Sequence, residues 1–354
     1  MVYIHIPFCR KICNYCDFHH SASLLRVDEM VDAIERELRI RHDFITSTKT
    51  LYFGGGTPSV CSAQQLKRLI DTVRELWDVS QFEELTLEAN PEDCTTDYLE
   101  ALRALGVNRL SIGIQSFTDE HLEKMNRRHS SAQAVRAVRN AREVGFNNIT
   151  IDLMYGLPFM TTEQWHSNLA QALELGVEHI SAYHLTIEPN TIFGKRGLQA
   201  VDENISDEQF EILHKTLTRS GYEHYEVSNF AREGFRALHN SGYWQGIPYL
   251  GVGASAHSFD GCDRREWNVS SNKLYLEGAP RTQECLTEQD AHNEFLMTRL
   301  RTADGFSKSD YEQRFDRKIL PSQGLNIVGD RVFIEAKDFL ISDKIIASLF
   351  EIND

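Results

Sequence analysis

Six short runs rich in β-branched and aromatic residues occur in the first 185 residues, and a segment with helical periodicity follows each of them. The runs cover residues 2–6, 50–53, 84–89, 109–114, 149–154 and 179–185. Regular alternation of strands and helices predicts parallel strands joined by crossover helices. The pattern therefore predicts an α/β fold, in which six strand–helix units form a partial, TIM-like (β/α)6 barrel.

Within the predicted strands, apolar and polar residues alternate, so the two faces of each strand differ. One face carries residues such as Ile4, Leu87 and Ile112, which we expect to pack against the helices. The opposite face carries Glu88 and Asp152 near the carboxyl ends of their strands. Barrel enzymes build their sites at that end. The pattern therefore predicts a lumen that is polar and ionisable at its carboxyl-terminal mouth.

The pattern changes twice further along the chain. After about residue 220, loops rich in glycine, asparagine and aromatic residues replace the alternation of strands and helices. Near residue 284 it changes again, to two helical patterns, a strand and a last helix. We therefore predict three parts: the barrel in residues 1–220, a loop-rich extension in 221–284, and a small winged-helix-like α+β domain in 285–354.

The composition of the chain limits the classes of partner that we expect it to bind. The 354-residue chain has 52 acidic and 37 basic residues and a net charge of −15, so its surface repels a phosphate backbone and we expect no nucleic-acid partner. No stretch reaches the ~20 apolar residues that a membrane span requires, and the first residues do not resemble a secretion signal. We expect a cytoplasmic protein without an integral membrane segment.

Three of the seven cysteines, Cys9, Cys13 and Cys16, crowd into one loop directly after the first predicted strand. This distribution suits a metal site better than a disulfide framework. An iron–sulfur cluster held by three cysteines keeps one iron without a protein ligand, free to bind a substrate. The sequence therefore favours a 4Fe-4S cluster with one open iron. The remaining cysteines are interpreted as ordinary thiols: Cys61, Cys94, Cys262 and Cys285.

A structural zinc site is the alternative, with His19 or His20 completing four ligands. Zinc modules favour paired two-residue spacings, which this loop lacks. Apolar residues such as Phe8 and Tyr15 surround the thiols, and such bulk tunes the potential of a cluster. The cluster is therefore the preferred interpretation.

The C-x3-C-x2-C loop on the first strand of a parallel barrel resembles the radical S-adenosylmethionine (SAM) superfamily. Residues 3–9, 53–59 and 239–244 narrow the resemblance to the branch that contains oxygen-independent coproporphyrinogen dehydrogenase and the HemW haem chaperones. The dehydrogenase has a further cysteine two positions after the third, whereas HemW has a phenylalanine there, as in Phe18 of this chain. The H-N-x-x-Y-W run of residues 239–244 also matches HemW, so the chain resembles the HemW family more closely.

This resemblance implies SAM bound at the open iron of the cluster. The implied SAM-contacting residues are Tyr3, Tyr15, Gly55, Gly56, Thr57, Glu88, Gln115, Arg127 and Asp152. Glycines let a backbone approach a ligand, carboxylates accept from ribose hydroxyls or an ammonium, and an arginine can clamp a carboxylate in bidentate fashion. Each polar residue has an alternative role as an ion-pair partner inside the lumen, and Arg128 and His129 adjoin Arg127.

The resemblance also implies haem as a ligand. His239 and Tyr243 lie four residues apart, so one helical turn places them on one face, and both residue types ligate haem iron. Trp244 is suited to cover a porphyrin face, and His257 is a second candidate ligand. The alternative for His239 is a histidine satisfied by hydrogen bonds in a packed loop.

Taken together, the resemblance implies a haem chaperone that holds a SAM-ligated 4Fe-4S cluster and passes haem to an acceptor protein of unidentified sequence. A homodimer is a further expectation. The rival function is a SAM-cleaving oxidoreductase that acts on a tetrapyrrole, as coproporphyrinogen dehydrogenase does. A third class, a binding module stabilised by zinc, would contain zinc and neither iron nor sulfide.

Overall fold

A computed structural model describes residues 1–351 of the chain. Its main sheet contains nine strands: β1 (Val2–Ile6), β2 (Thr50–Gly55), β3 (Glu84–Ala89), β4 (Arg109–Gln115), β5 (Ile149–Tyr155), β6 (His179–His184), β7 (Glu223–Glu226), β8 (Asn229–Ala231) and β9 (Leu250–Val252). Their order across the sheet is β7-β8-β6-β5-β4-β3-β2-β1-β9. The first six strands lie side by side in chain order, as the sequence predicts.

The first six strands pair in parallel throughout, and β9 extends the sheet in parallel beyond β1. At the other end, β8 pairs antiparallel with β6, and β7 pairs antiparallel with β8. Because β7 and β9 end the order without pairing with each other, the sheet is curved but not closed. The prediction of a partial parallel barrel is therefore confirmed.

Helices connect the parallel strands and cover the outer face of the sheet. They are α1 (Val27–Arg41), α2 (Ala63–Trp77), α3 (Thr96–Ala104), α4 (Asp119–Lys124), α5 (Ser131–Glu143), α6 (Thr162–Leu175), α7 (Ile192–Lys195) and α8 (Glu203–Arg219). Ser62, Ser130 and Thr161 begin α2, α5 and α6 with reciprocal capping boxes, which satisfy backbone N–H groups that the first turn leaves free.

The two faces of the strands differ as predicted. Ile4, Leu87 and Ile112 are fully buried in the main hydrophobic core between the sheet and the helices. On the inner face, Glu88 and Asp152 point into a cavity at the carboxyl ends of the strands. The sequence pattern thus sets which residues form the core and which form the lumen.

The chain after β6 adds two small sheets to the main one. Its remaining elements are α9 (Leu238–Trp244), β10 (His257–Phe259), β11 (Arg264–Trp267), α10 (Asn272–Leu276), β12 (Thr282–Cys285), α11 (Glu288–Arg299), β13 (Phe306–Ser307), α12 (Lys308–Phe315), β14 (Asn326–Val328), β15 (Arg331–Phe333) and α13 (Ser342–Ala347). Strands β10, β11 and β12 form one antiparallel sheet, and β13, β15 and β14 form another.

The three-part division at residues 220 and 284 stays a prediction. Strands β7, β8 and β9 lie after residue 220 and belong to the main sheet by their pairing. The C-terminal unit, from α11 to α13, has the mixed helix and strand content that the sequence predicts. Within residues 1–351, no helix is both long and apolar enough to cross a bilayer.

Candidate functional site

A cavity of about 630 Å³ opens at the carboxyl ends of β1 to β6, and we call it the cluster cavity. Its volume lies within the range of about 300–1,000 Å³ that is typical of small-molecule sites. It brings together most of the side chains predicted to bind the cluster and SAM. Those that line it are Cys9, Cys13, Tyr15, Cys16, Gly55, Gly56, Thr57, Glu88, Gln115, Arg127 and Asp152.

The cysteine loop is fixed by contacts with the connection between α4 and α5. The Asn14 backbone N–H donates to the Met125 carbonyl at 3.0 Å, and its side-chain amide donates to the Lys124 carbonyl at 2.7 Å. The Asn126 amide donates in return to the Ile12 carbonyl at 2.6 Å. These three hydrogen bonds position the loop that carries the thiols without any contribution from a metal.

Two of the three sulfurs accept hydrogen bonds from cavity side chains. The Thr57 hydroxyl donates to Cys9 Sγ at 3.3 Å, and Arg127 Nη1 donates to Cys13 Sγ at 3.3 Å. Such donors stabilise a thiolate and tune a cluster. Burial raises the pKa of Cys16 to about 11, so the free thiol is protonated at neutral pH. Metal binding at this loop must therefore release protons.

The histidines proposed as zinc ligands have other contacts. His19 Nε2 lies 2.8 Å from Asn272 Oδ1, and His20 Nδ1 lies 2.5 Å from the Phe18 carbonyl and 3.9 Å from Cys16 Sγ. In residues 1–351, no three His, Cys, Asp or Glu side chains converge on a point that would suit one metal ion. In a 4Fe-4S cluster each cysteine thiolate binds a different iron, so the three cysteine sulfurs need not converge on one point.

Arg127 crosses the cavity from the connection before α5. Nη2 donates to Asn90 Oδ1 at 2.7 Å and to the Gly113 carbonyl at 2.5 Å, while Nη1 donates to Cys13. Nε is buried and has no protein partner. A bidentate clamp through both terminal nitrogens, as the sequence analysis proposed, is therefore not open in this conformation. Nε is the donor that remains for a ligand.

Two buried carboxylates form the floor of the cavity. Glu88 Oε1 accepts from the Tyr52 hydroxyl at 2.8 Å, and Asp152 Oδ1 accepts from the Ser111 hydroxyl at 3.3 Å. Burial raises the pKa of Glu88 to about 7 and that of Asp152 to about 6, and the charge of Asp152 adds to the shift of Glu88. A cationic ligand would stabilise both ionised carboxylates. The sulfonium and ammonium of SAM have this charge, so the floor fits SAM.

Gln115 ends β4 in a left-handed backbone conformation, with φ of 70°. This conformation is uncommon for a residue other than glycine, and such strain concentrates at functional sites. The pairing of β4 with β5 also shifts between Gly113 and Gln115. The irregularity turns the Gln115 side chain into the cavity, as predicted.

The glycine run at the end of β2 packs closely against β1 and the cysteine loop. A Cβ at Gly55, where φ is +107°, would lie 2.6 Å from the His5 ring, and a Cβ at Gly56 would lie 2.7 Å from the Phe8 carbonyl oxygen. These glycines line the cavity, but their missing side chains make room for β1 and the cysteine loop. Close packing of the protein already requires glycine here, and contact of Gly55 and Gly56 with SAM stays a prediction.

Tyr3 was predicted to contact SAM, but it does not line the cluster cavity. Its hydroxyl lies 3.3 Å from His5 Nδ1, and its ring centroid lies 6.0 Å from that of Tyr52. Tyr3 therefore lies behind the cavity wall. It supports Tyr52, which in turn donates to the Glu88 carboxylate.

The haem candidates lie apart from the cluster cavity. His239 is 1% exposed, with Nδ1 2.8 Å from the Thr50 hydroxyl and Nε2 2.9 Å from the Tyr243 hydroxyl. Burial lowers the pKa of His239 to about 3. Both ring nitrogens are thus engaged inside the protein, which matches the alternative of a satisfied, packed histidine. His257 is exposed and stacks on Trp267.

Several cavity residues were not singled out as site residues from the sequence. They are Asn90, Ser111, Gly113, Met154, Tyr183, His184 and Glu188. Most of them lie at or just beyond the carboxyl ends of β3 to β6. Their position at the carboxyl ends of the strands, which identified Glu88 and Asp152, therefore also predicts that they line the cavity. Their residue types did not single them out, because none of these types has one characteristic chemical role in a binding site.

The comparisons with known proteins agree with this geometry. The family model described as the Radical SAM superfamily matches residues 3–171, and the HemN C-terminal domain model matches residues 286–325. Among solved structures, coproporphyrinogen III oxidase (HemN) from Escherichia coli has a TM-score of 0.82 and 26% identity, over 98% of this chain and 88% of that chain.

Two bacterial relatives are similar over most of their length. The heme chaperone HemW of Bacillus subtilis is 38% identical over 332 residues, which is 90% of this chain and 87% of that protein. The heme chaperone HemW of Escherichia coli is 37% identical over 309 residues, which is 85% of this chain and 82% of that protein. The chain therefore belongs to the HemW family of the radical SAM superfamily.

Proposed function

We propose that this protein is a haem chaperone that binds a 4Fe-4S cluster and SAM in the cluster cavity and passes haem to an acceptor protein. The observation that carries the proposal is its likeness, over nearly its whole length, to proteins named heme chaperone HemW. Phe18, in the position where the related dehydrogenase has a fourth cysteine, supports the same function.

Cys9, Cys13 and Cys16 would hold the cluster, and the cavity beside them would hold SAM. The chemistry that a reduced cluster would supply there is an electron for cleavage of the sulfonium bond of SAM. Thr57 and Arg127 donate to the sulfurs and stabilise their ionised form. Thr57 is buried, and Arg127 and the three cysteines are half-buried, which would restrict access of water to a bound cluster.

The cavity floor would orient SAM through its polar groups. Glu88 and Asp152 have carboxylates that accept from ribose hydroxyls or from the ammonium group. Arg127 Nε offers one hydrogen bond to the SAM carboxylate. We also propose that the protein is cytoplasmic, that it forms a homodimer, and that residues 285–354 form a winged-helix-like domain.

A second function has support from one observation, the TM-score of 0.82 with the coproporphyrinogen III oxidase (HemN) of Escherichia coli. In this alternative the protein is an oxidoreductase that uses SAM to decarboxylate a tetrapyrrole. The two functions predict different products. The oxidoreductase forms 5'-deoxyadenosine and methionine in proportion to the substrate consumed, whereas the chaperone binds and releases haem unchanged.

Anaerobic reconstitution with iron and sulfide, followed by haem titration and by product analysis with SAM and coproporphyrinogen III, tests both functions. We expect one haem per chain and no decarboxylation. Decarboxylation without stoichiometric haem binding would favour the oxidoreductase and contradict the chaperone. Cys13→Ala should lose the iron–sulfur absorbance, and the matched control Cys285→Ala, at an exposed cysteine of β12, should keep it.

A further inference from the structure

A buried arginine lies beneath the carboxylate floor of the cluster cavity but does not line the cavity itself. Arg109 begins β4 on the inner face of the sheet, two residues before Ser111, and is 1% exposed. Its Nη2 donates to the Thr150 hydroxyl at 2.5 Å. An arginine is almost never fully buried unless its charge is paired, so its place inside the lumen requires a physical reason.

The acidic partner of Arg109 neutralises it only in part. Glu84 Oε2 lies 3.8 Å from Arg109 Nε, which is beyond hydrogen-bonding distance. Both Glu84 oxygens accept instead from the backbone N–H groups of Leu238 and His239, at 2.8 and 2.9 Å. Within residues 1–351, no other acidic oxygen lies within 4.0 Å of an Arg109 nitrogen, and Nε and Nη1 have no hydrogen-bond partner. Much of the positive charge therefore acts on groups farther along the lumen.

The strand pairing places this charge near the two floor carboxylates. Ser111 pairs with Glu88 of β3 and with Thr150 of β5, so the contact of Nη2 with Thr150 brings the guanidinium to the layer of Glu88. Asp152 follows Thr150 by two residues on the same face, a step of about 6.6 Å along the strand. The guanidinium therefore lies in the same layer of the lumen as Glu88 and one layer below Asp152.

The charge of Arg109 opposes the effect of burial on both carboxyls. Burial raises the pKa of Glu88 to about 7 and that of Asp152 to about 6, and the positive charge of Arg109 acts in the opposite direction at each. A positive charge inside a protein favours the ionised form of a carboxyl near it. Without Arg109, burial and the repulsion between the two carboxylates would keep more protons on the floor of the cavity.

The other ionisable groups around the floor do not replace this charge. Burial raises the pKa of five tyrosines and lowers that of two histidines, so these neighbours are uncharged at neutral pH; they are Tyr3, Tyr52, Tyr183, Tyr225, Tyr243, His179 and His239. Glu88 also faces the Cys9 thiol, and Asp152 also faces Arg127. Arg127 is already hydrogen-bonded to Cys13 and Asn90. Arg109 is therefore the positive charge that serves both carboxylates.

We propose that Arg109 is a positioning residue of the SAM site, whose buried positive charge favours the ionised carboxylates of Glu88 and Asp152 near neutral pH, ready for the cationic groups of SAM. This inference rests on the proposed binding of SAM in the cluster cavity. Arg109 does not touch SAM in this assignment, because the floor carboxylates lie between them.

The effect of Arg109 on SAM affinity changes with pH. Below the pKa of the carboxyls, SAM must displace their protons, and Arg109 assists this step because it stabilises the carboxylates. Above that pKa the carboxylates are ionised in any case, and Arg109 only repels the cation, from a greater distance. Removal of its charge should therefore weaken SAM binding at low pH and not at high pH.

Calorimetric titration of the anaerobically reconstituted protein with SAM, between pH 6 and 9, tests this inference. Wild-type affinity should rise through about pH 7. In Arg109→Met the same rise should occur about one pH unit higher, with severalfold weaker binding at pH 7 and no loss at pH 9. Arg109→Lys keeps the charge and should restore the wild-type profile. Arg142→Met, which removes a half-buried partner of Glu178 on the outer helix α5, is the matched control.

Iron–sulfur absorbance and far-ultraviolet circular dichroism show whether each variant is folded at each pH. Arg109→Met leaves Glu84 without its acidic-residue partner, so a second comparison uses Glu84→Gln and Arg109→Met/Glu84→Gln. These two proteins differ only in the charge of residue 109. The rise in SAM affinity of the double variant should lie about one pH unit above that of Glu84→Gln.

The outcomes separate this inference from the proposed function. If wild type binds no SAM, the proposed SAM site and the inference both fail. If wild type binds SAM and the rise occurs at the same pH in Arg109→Met, the inference is wrong and the SAM site stands. A uniform loss of affinity at every pH would also contradict the inference, because a merely structural role predicts that result. A profile of Arg109→Lys equal to that of Arg109→Met would show that the charge is not what matters.

Discussion

At the residue scale, the burial of Glu88 raises its pKa, so the charge of its carboxyl depends both on pH and on the charge of a bound ligand. Its carboxyl is enclosed by Tyr52 and lies near Asp152, and burial raises its pKa to about 7. The carboxyl is therefore mostly protonated at pH 6 and mostly ionised at pH 8. A cationic ligand binds the ionised form, so proton release accompanies binding below the pKa and affinity increases with pH through this window.

We therefore predict that the affinity of the reconstituted protein for SAM rises by up to about tenfold between pH 6 and 8. Glu88→Gln should bind SAM more weakly at pH 8 and should lose most of this pH dependence. Anaerobic isothermal titration calorimetry measures both quantities. Glu120→Gln, at an exposed residue of α4, is the control. An unchanged pH profile in Glu88→Gln would exclude Glu88 from the SAM site.

His239 has a structural role in its present environment, because it is buried and hydrogen-bonded to Thr50 and Tyr243. His239→Ala should lower the free energy of unfolding by about 2–3 kcal/mol, since two buried hydroxyls lose their partner and a cavity forms. Urea unfolding measures this loss. His257→Ala, at an exposed histidine, should have little effect on stability.

The burial of His239 could not be read from the sequence, because its partner Thr50 lies 189 residues away along the chain. The H-N-x-x-Y-W run forms most of α9, but a single sequence does not tell whether its histidine faces a ligand or the core. In contrast, Glu88 and Asp152 could be placed in the cavity, because strand alternation fixes the side on which each lies. Strand alternation predicts the side on which a side chain lies, whereas packing between distant segments decides whether that side chain is exposed.

At the scale of elements, the cysteine loop depends on a neighbouring connection for its position. Asn126, whose φ is 63°, donates through its amide to the Ile12 carbonyl. Asn126→Gly removes the amide but keeps the left-handed backbone accessible. We predict several-fold faster loss of iron to a chelator, because the loop opens more often, with little change in global unfolding.

The rate of decay of the iron–sulfur absorbance in the presence of a ferrous chelator measures this effect. Asp316→Gly is the matched control, because Asp316 also has a left-handed backbone, with φ of 52°, but lies at the end of α12. This control should lose iron at the wild-type rate. Equal rates for Asn126→Gly and wild type would show that the hydrogen bond does not hold the loop closed.

The elements themselves were predictable to different degrees. The six parallel strands are short runs of alternating apolar and polar residues between turn residues, and their observed bounds match the predicted ones to within two residues. Strands β8 and β9 have three residues each, too few for a periodic pattern. Their place in the main sheet follows from pairing with β6 and β1, which only the three-dimensional structure reveals.

At the scale of the whole molecule, a line of contacting side chains joins the cluster cavity to a second cavity, of about 210 Å³, beside α9. Tyr52 donates to Glu88 in the floor of the cluster cavity, and its ring centroid lies 5.1 Å from that of His239. His239 in turn contacts Tyr243, which lines this second cavity. A ligand that changes the charge or position of Glu88 therefore acts on a chain of packed groups that ends at the other cavity.

We predict that SAM changes the haem affinity of the reconstituted protein severalfold and that haem changes SAM affinity by the same factor, since linkage is reciprocal. Tyr52→Phe keeps the ring against His239 but removes the hydroxyl that reaches Glu88, so it should abolish most of this coupling. Haem titrations with and without SAM measure the factor. Tyr98→Phe, which removes a hydroxyl that donates to the Cys61 carbonyl, is the control. If SAM changes haem affinity by the same factor in wild type and in Tyr52→Phe, the two cavities communicate by another path. If SAM leaves haem affinity unchanged in both proteins, the two cavities act independently.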